Sequence, residues 1–241
     1  MGLVLASLAA LGNVLGGLLL GARARWSRLM LRLFVAVGAG FLLCVALLRM
    51  LPEALELAPT LAMPLVVTGY FVTHLFEHTL VRHFHFGEET HTEVVQGASS
   101  AAATLGLGLH SFFDGVSIAA GFTVSPTLGW LVFGAIALHK LPEGFTIASI
   151  VRAAGGGRGR AVAASAVIGA ACVLGAILLE GREHLAGTGL ALATGVTIYV
   201  AATDLVPEVN KEVGHYLAFT VLGGVALYVL ASWVLGLAGL N

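Results

Sequence analysis

Charge is what this sequence has least of. Only 10% of its 241 residues are charged, against 58% hydrophobic, and mean hydropathy is +0.97. A soluble domain carries about 25% charged residues, so this composition excludes an ordinary water-facing surface. No sign dominates either: Lys and Arg total 12, Asp and Glu 13, for a net charge of −1. That balance gives no hint of nucleic-acid binding. Cysteine is nearly absent, and Cys44 and Cys172 both fall in apolar runs. A disulfide framework is excluded, and free thiols are expected.

What is abundant is long apolar sequence. A bilayer core of roughly 30 Å takes about 20 apolar residues per helix. Eight stretches of that kind occur, near 2–22, 30–51, 61–81, 97–122, 127–151, 161–180, 185–206 and 215–239. The loops between them are too short for a separate soluble domain, so residues 1–241 read as one transmembrane domain. The first stretch lacks a basic leader, is longer than a signal core, and precedes its arginines, which favours a retained helix; cleavage after Ala24 is the alternative.

Basic residues set the orientation. Arg23, Arg25, Arg28 and Arg32 follow span 1, Arg82 follows span 3, Arg152, Arg158 and Arg160 follow span 5, and Lys211 follows span 7. With eight alternating helices these share one face, so both termini are expected outside. Loops 23–30, 82–96, 152–160 and 208–214 are then cytoplasmic.

Two span ends match each other. "CVALLRMLPEA" (44–54) closes span 2 and "YVAATDLVPEV" (199–209) closes span 7, with Val-Ala and Pro-Glu in the same register. The two spans run in opposite directions, as in the inverted repeats of many transporters. Pro-Glu used twice as a helix-end signal is the other reading, and it stays open at this point.

Polar residues inside the spans carry the chemistry. Span 4 holds His110 and Asp114 in "LHSFFDGVSIAAGF"; span 5 holds His139 and Glu143 in "LHKLPEGF". Residues four apart share a helix face, so each helix presents an imidazole and a carboxylate together. A short turn near Ser125-Pro126 makes the two helices antiparallel and brings the pairs to one depth. Two His and two carboxylates form a four-ligand set suited to Zn²⁺ and neighbouring divalent ions. A lone buried His is more often a packing residue. Charges at mid-membrane, however, cost about 2.5–3.5 kcal/mol each, and the matched spacing favours metal. Pro142 removes a backbone bond and frees the Leu138 carbonyl, an irregularity tolerated where a helix lines a cavity. Gly115 and Gly144 leave room for close helix approach or a hydrated path.

"HSFFDG" and "HKLPEG" resemble the fourth- and fifth-span signatures of the ZIP family of divalent metal transporters. "RMLPEA" and "TDLVPE" resemble that family's second and seventh spans. The resemblance covers the whole chain. It implies an all-α membrane protein of eight transmembrane helices with an inverted repeat, both termini outside, a metal pathway along spans 4 and 5, and frequent homodimers. By motif the metal ligands would be His110, Asp114, His139 and Glu143. The chain departs from the commoner two-metal pattern at second-site neighbours Ser111, Lys140 and Cys172. Many relatives have Asn, an acidic residue and Glu at those places. A protonated lysine has donors only and cannot ligate, so Lys140 is expected to supply a tethered positive charge in place of a second ion; a lysine reaching water is the alternative.

"HLFEHTLVRHFHFGEETH" (74–91) adds a histidine-rich region. His74, Glu77 and His78 lie on one helix face, followed by His83, His85 and His91 in loop 82–96. Metal capture or release on the cytoplasmic side is the functional reading, and a solvated loop the plain one. Two functions compete overall. One is a carrier taking Zn²⁺ into the cytoplasm, with Fe²⁺, Mn²⁺, Co²⁺ or Cd²⁺ as other substrates, no organic cofactor, and a cell-membrane location. The other is an intramembrane zinc-dependent hydrolase, with Glu143 activating water held by His110, Asp114 and His139.

Overall fold

A computed structural model describes residues 1–21, 28–79, 97–210 and 215–239, and every regular element among them is helical. Helix α1 spans Gly2–Gly21 and α2 spans Arg28–Val45, continuing through a π-helical turn at Ala46–Met50 into α3, Leu51–Leu57. Next come α4 (Ala62–Thr79), α5 (Gly97–Val124), α6 (Pro126–Ala153) and α7 (Arg158–Leu179). Helix α8 (Ala186–Tyr199) passes through a second π-helical stretch, Val200–Leu205, into α9 (Val206–Asn210), and α10 is His215–Leu237. Among the described residues seven helical stretches are long and apolar enough to cross a membrane. Helix α4 is not one of these, because His74, Glu77 and His78 fall in its last turns.

Helices α5 and α6 form the expected antiparallel hairpin. Ser125 caps α6, its hydroxyl accepting from the Leu128 N–H at 3.2 Å, and Pro126 takes the first helical position, where no N–H is needed. Helix α1 packs on α6 and α7, α5 on α6 and α7, α4 on α8, and α2 on α10. The most apolar window of α6 is 67% buried, and that of α10 only 11%, so α6 is an inner helix and α10 an outer one. A row of leucines on α1, Leu8, Leu11, Leu15 and Leu18, is likewise exposed.

Glycines set how closely the inner helices meet. A Cβ on Gly144 would strike the Asn13 carbonyl of α1, and one on Gly16 would strike the Leu141 carbonyl of α6. Gly115 meets the Cys172 carbonyl of α7 in the same way. Of the two readings of Gly115 and Gly144, close helix approach is the one observed.

The matched span ends share a backbone feature as well as residues. The Leu51 N–H bonds the Ala46 carbonyl and the Val206 N–H bonds the Ala201 carbonyl, each five residues back. Ala46 and Ala201 occupy the same register in the two motifs. Each widened turn ends just before a proline, Pro52 or Pro207, whose ring would crowd the carbonyl four residues earlier in a regular helix. The two motifs thus share a local backbone geometry as well as residues.

Candidate metal centre

Regular helix geometry builds the site. His110 and Asp114 stand one turn apart on α5, as do His139 and Glu143 on α6, and all four side chains are buried. Each offers a ligand atom, and these atoms lie within 4.8 Å of one another. Among the described residues this is the sole group of three or more such ligands that converges. Helix α6 runs unbroken through Pro142, so the missing N–H loosens the ladder without displacing His139 from Glu143.

Asp114 is the hub. Its Oδ2 lies 3.3 Å from His110 Nε2 and 3.3 Å from His139 Nε2. Ligands about 2.0–2.1 Å from a tetrahedral Zn²⁺ stand about 3.3–3.4 Å apart, so these spacings suit one ion. The orientation of His139 agrees. Its Nδ1 lies 3.1 Å from the Ala135 carbonyl, which can only accept, so Nδ1 donates there and Nε2 is the nitrogen turned toward Asp114. The His110 and His139 rings are tilted by 35° with centroids 5.4 Å apart, bringing two imidazoles to one side. Glu143 adds an oxygen of its own, because Oε1 is buried with no hydrogen-bond partner.

Lys140 is fully buried and does not reach water. Its Nζ lies 2.7 Å from Asp114 Oδ2 and 2.5 Å from Glu143 Oε2, and it donates to Ser111 Oγ at 2.7 Å. The ammonium thus uses three donors on three oxygens. Two carboxylates against one ammonium leave the centre one net negative charge, which favours a divalent cation over an empty site. Cys172 is buried behind them, with its Sγ 3.9 Å from the Ala6 carbonyl of α1.

The second histidine group is only partly described. His74 and His78 stack on α4 with centroids 4.1 Å apart, and His78 Nδ1 lies 2.9 Å from the His74 carbonyl. His83, His85 and His91 lie outside the described residues.

Two polar positions escaped the sequence reading. Asn13 on α1 is fully buried against Gly144, with neither amide atom hydrogen-bonded. Asp204, in the second π turn, is buried with neither carboxylate oxygen hydrogen-bonded. Both are polar residues inside apolar spans, and that alone was the available signal.

A family model described as "ZIP Zinc transporter" matches residues 87–232, more than half of the chain. The chain belongs to the ZIP family. It is 31% identical over 162 residues to "Zinc transporter ZIP9" of Micropogonias undulatus, covering 62% of this chain and 52% of that protein. It matches "Zinc transporter ZIP9" of Xenopus tropicalis at 31% over 163 residues, covering 62% and 53%. "Zinc transporter foi" of Drosophila melanogaster matches at 29% over 136 residues, covering 53% and 19%. The chain therefore spans about half the length of the first two relatives. The long apolar helices and the family together identify a multi-pass membrane protein of a transporter family.

Proposed function

We propose that this chain carries divalent metal, with Zn²⁺ as substrate, into the cytoplasm by alternating access through the α5–α6 centre. The convergence of His110, Asp114, His139 and Glu143 supports this reading. Imidazole nitrogens and carboxylate oxygens together suit a divalent ion, and burial strengthens that attraction. The relatives' printed names favour Zn²⁺. Mixed N/O ligation also admits Fe²⁺, Mn²⁺, Co²⁺ and Cd²⁺. The family resemblance favours a homodimer, and the proposed location is the cell membrane. In this reading Lys140 is a tethered cation that takes the place of a second metal, held by Ser111, Asp114 and Glu143. Uptake of each ion into proteoliposomes, with the others as competitors, tests the proposal. Failure to move any of them while the protein cleaves lipid or peptide would favour the hydrolase.

Acid should inhibit binding. Imidazole must be neutral and carboxylate ionised to coordinate, so protons compete with the metal as pH falls. Equilibrium Zn²⁺ binding is expected to weaken once the solution is acid enough for protons to occupy these ligands, and affinity that never falls with acidity while the protein stays folded would contradict this ligand set.

The histidine-rich region is proposed to assist capture or release on the cytoplasmic side, with His74 and His78 already on one face of α4. Replacing His83, His85 and His91 by Ser should slow uptake about two- to threefold, as expected of a weak accessory tract. The intramembrane centre should stay loaded. Complete loss of its metal in that variant would mean the primary ligands are elsewhere.

A further inference from the structure

At the arginine-bearing end of the bundle, away from the metal centre, a cavity of about 540 Å³ opens between α1, α6 and α7. Arg152, Arg158 and Gly159 line it together with Leu18, Leu20 and Val162. Among the described residues neither arginine makes an ion pair. Two arginines therefore share a concave wall with aliphatic side chains.

The local backbone adds to the positive charge. Gly155, at φ +80°, turns the chain after α6 so that the Gly156 N–H bonds the Val151 carbonyl at 2.8 Å and the Gly155 N–H bonds the Arg152 carbonyl at 3.1 Å. Arg152 Nη1 donates to the Gly156 carbonyl at 2.9 Å, which fixes the guanidinium beside the turn. The negative end of α6 is thereby closed. Helix α7 starts at once behind Gly157, which has no side chain to cap it, and the first backbone bond is Ala161 N–H to the Gly157 carbonyl at 3.1 Å. Among the described residues the N–H groups of Arg158, Gly159 and Arg160 have no partner. Open space surrounds Gly159, so an anion can approach these donors.

The apolar wall decides which anion. Leu18 is 49% exposed and ends the exposed row of Leu8, Leu11 and Leu15 along α1. The cavity wall thus includes one end of an exposed apolar row. Inorganic phosphate would satisfy the arginines and N–H groups but leave Leu18, Leu20 and Val162 unused.

We infer that this cavity binds the phosphate of an anionic phospholipid, with an acyl chain along the exposed α1 row. Basic pockets between membrane helices at the arginine-rich face recognise such headgroups. The bound lipid would tie α1 and α7 to α6, the helix that carries His139 and Glu143.

Native mass spectrometry of the purified full chain, exchanged into mixed phosphatidylglycerol and phosphatidylcholine, tests this. Wild-type protein should retain phosphatidylglycerol over phosphatidylcholine by at least about fivefold, the contribution expected of one interfacial arginine. Millimolar inorganic phosphate should not displace it. Arg152→Gln combined with Arg158→Gln should bring the preference close to one. Equal retention of the two lipids by the wild type, which needs no variant to fold, would overturn the inference. So would displacement by phosphate, which would mark a free-anion site, or an undiminished preference in the folded double variant.

Discussion

Chains carrying His139→Ala or Glu143→Ala are expected to take up zinc at less than about one-hundredth of the wild-type rate, because even residues behind a metal's ligands are worth about 10–100-fold. Each substitution removes a different component of the centre. His139→Ala deletes the ring nitrogen turned toward Asp114, while Glu143→Ala deletes the buried Oε1 and one of the oxygens around Lys140. Alanine suits a helix interior, so α6 should still insert. Glu143→Gln separates charge from shape, since the amide carbonyl still accepts from Lys140 but the negative charge is gone. Uptake should fall in that variant too, with metal content reduced. Proteoliposome uptake, normalised to inserted protein, is the measurement. Wild-type rates in both alanine variants would sink the site assignment and the transport reading that rests on it.

The site was legible where chemistry follows helical spacing. His110 with Asp114, and His139 with Glu143, needed only the four-residue repeat and the short turn at Ser125-Pro126 to be placed together. The depth of the two pairs followed from the antiparallel hairpin. Span positions were legible because lipid demands long apolar runs, and α4 fell short of that pattern only at its His- and Glu-bearing end. What could not be read was three-dimensional contact between spans far apart in sequence. Nothing near Asn13 indicates that its carbonyl would rest against Gly144, or that Gly115 would meet Cys172. The π turns were hidden for another reason. Pro52 and Pro207 mark where a regular ladder fails, but a helix end, a kink and a widened turn all relieve that clash. Only the backbone bonds from Leu51 to Ala46 and from Val206 to Ala201 distinguish them.

Lys140 is where sequence and geometry combine into the sharpest test. Its ammonium is enclosed by Asp114 Oδ2, Glu143 Oε2 and Ser111 Oγ at 2.7, 2.5 and 2.7 Å. Three oxygens around one positive nitrogen describe a cation position that the chain itself fills. Lys140→Ala would leave Asp114 and Glu143 without that counterion, and breaking a buried pair destabilises by about 3–5 kcal/mol. The protein should unfold at lower temperature and hold one metal or less. Lys140→Asp differs in kind. The shorter side chain vacates the ammonium's space, reverses its charge and adds an oxygen ligand beside those of Asp114, Glu143 and Ser111, with the Cys172 thiol behind them. Metal content per chain, measured by elemental analysis after free metal is removed, should rise from one toward two in Lys140→Asp, and thermal stability should recover when zinc is added. Two tightly held intramembrane ions in the wild type would refute the tethered-cation role. A Lys140→Asp protein that binds a single ion, however well folded, would refute it equally, since the oxygens left behind would then be unable to hold a cation.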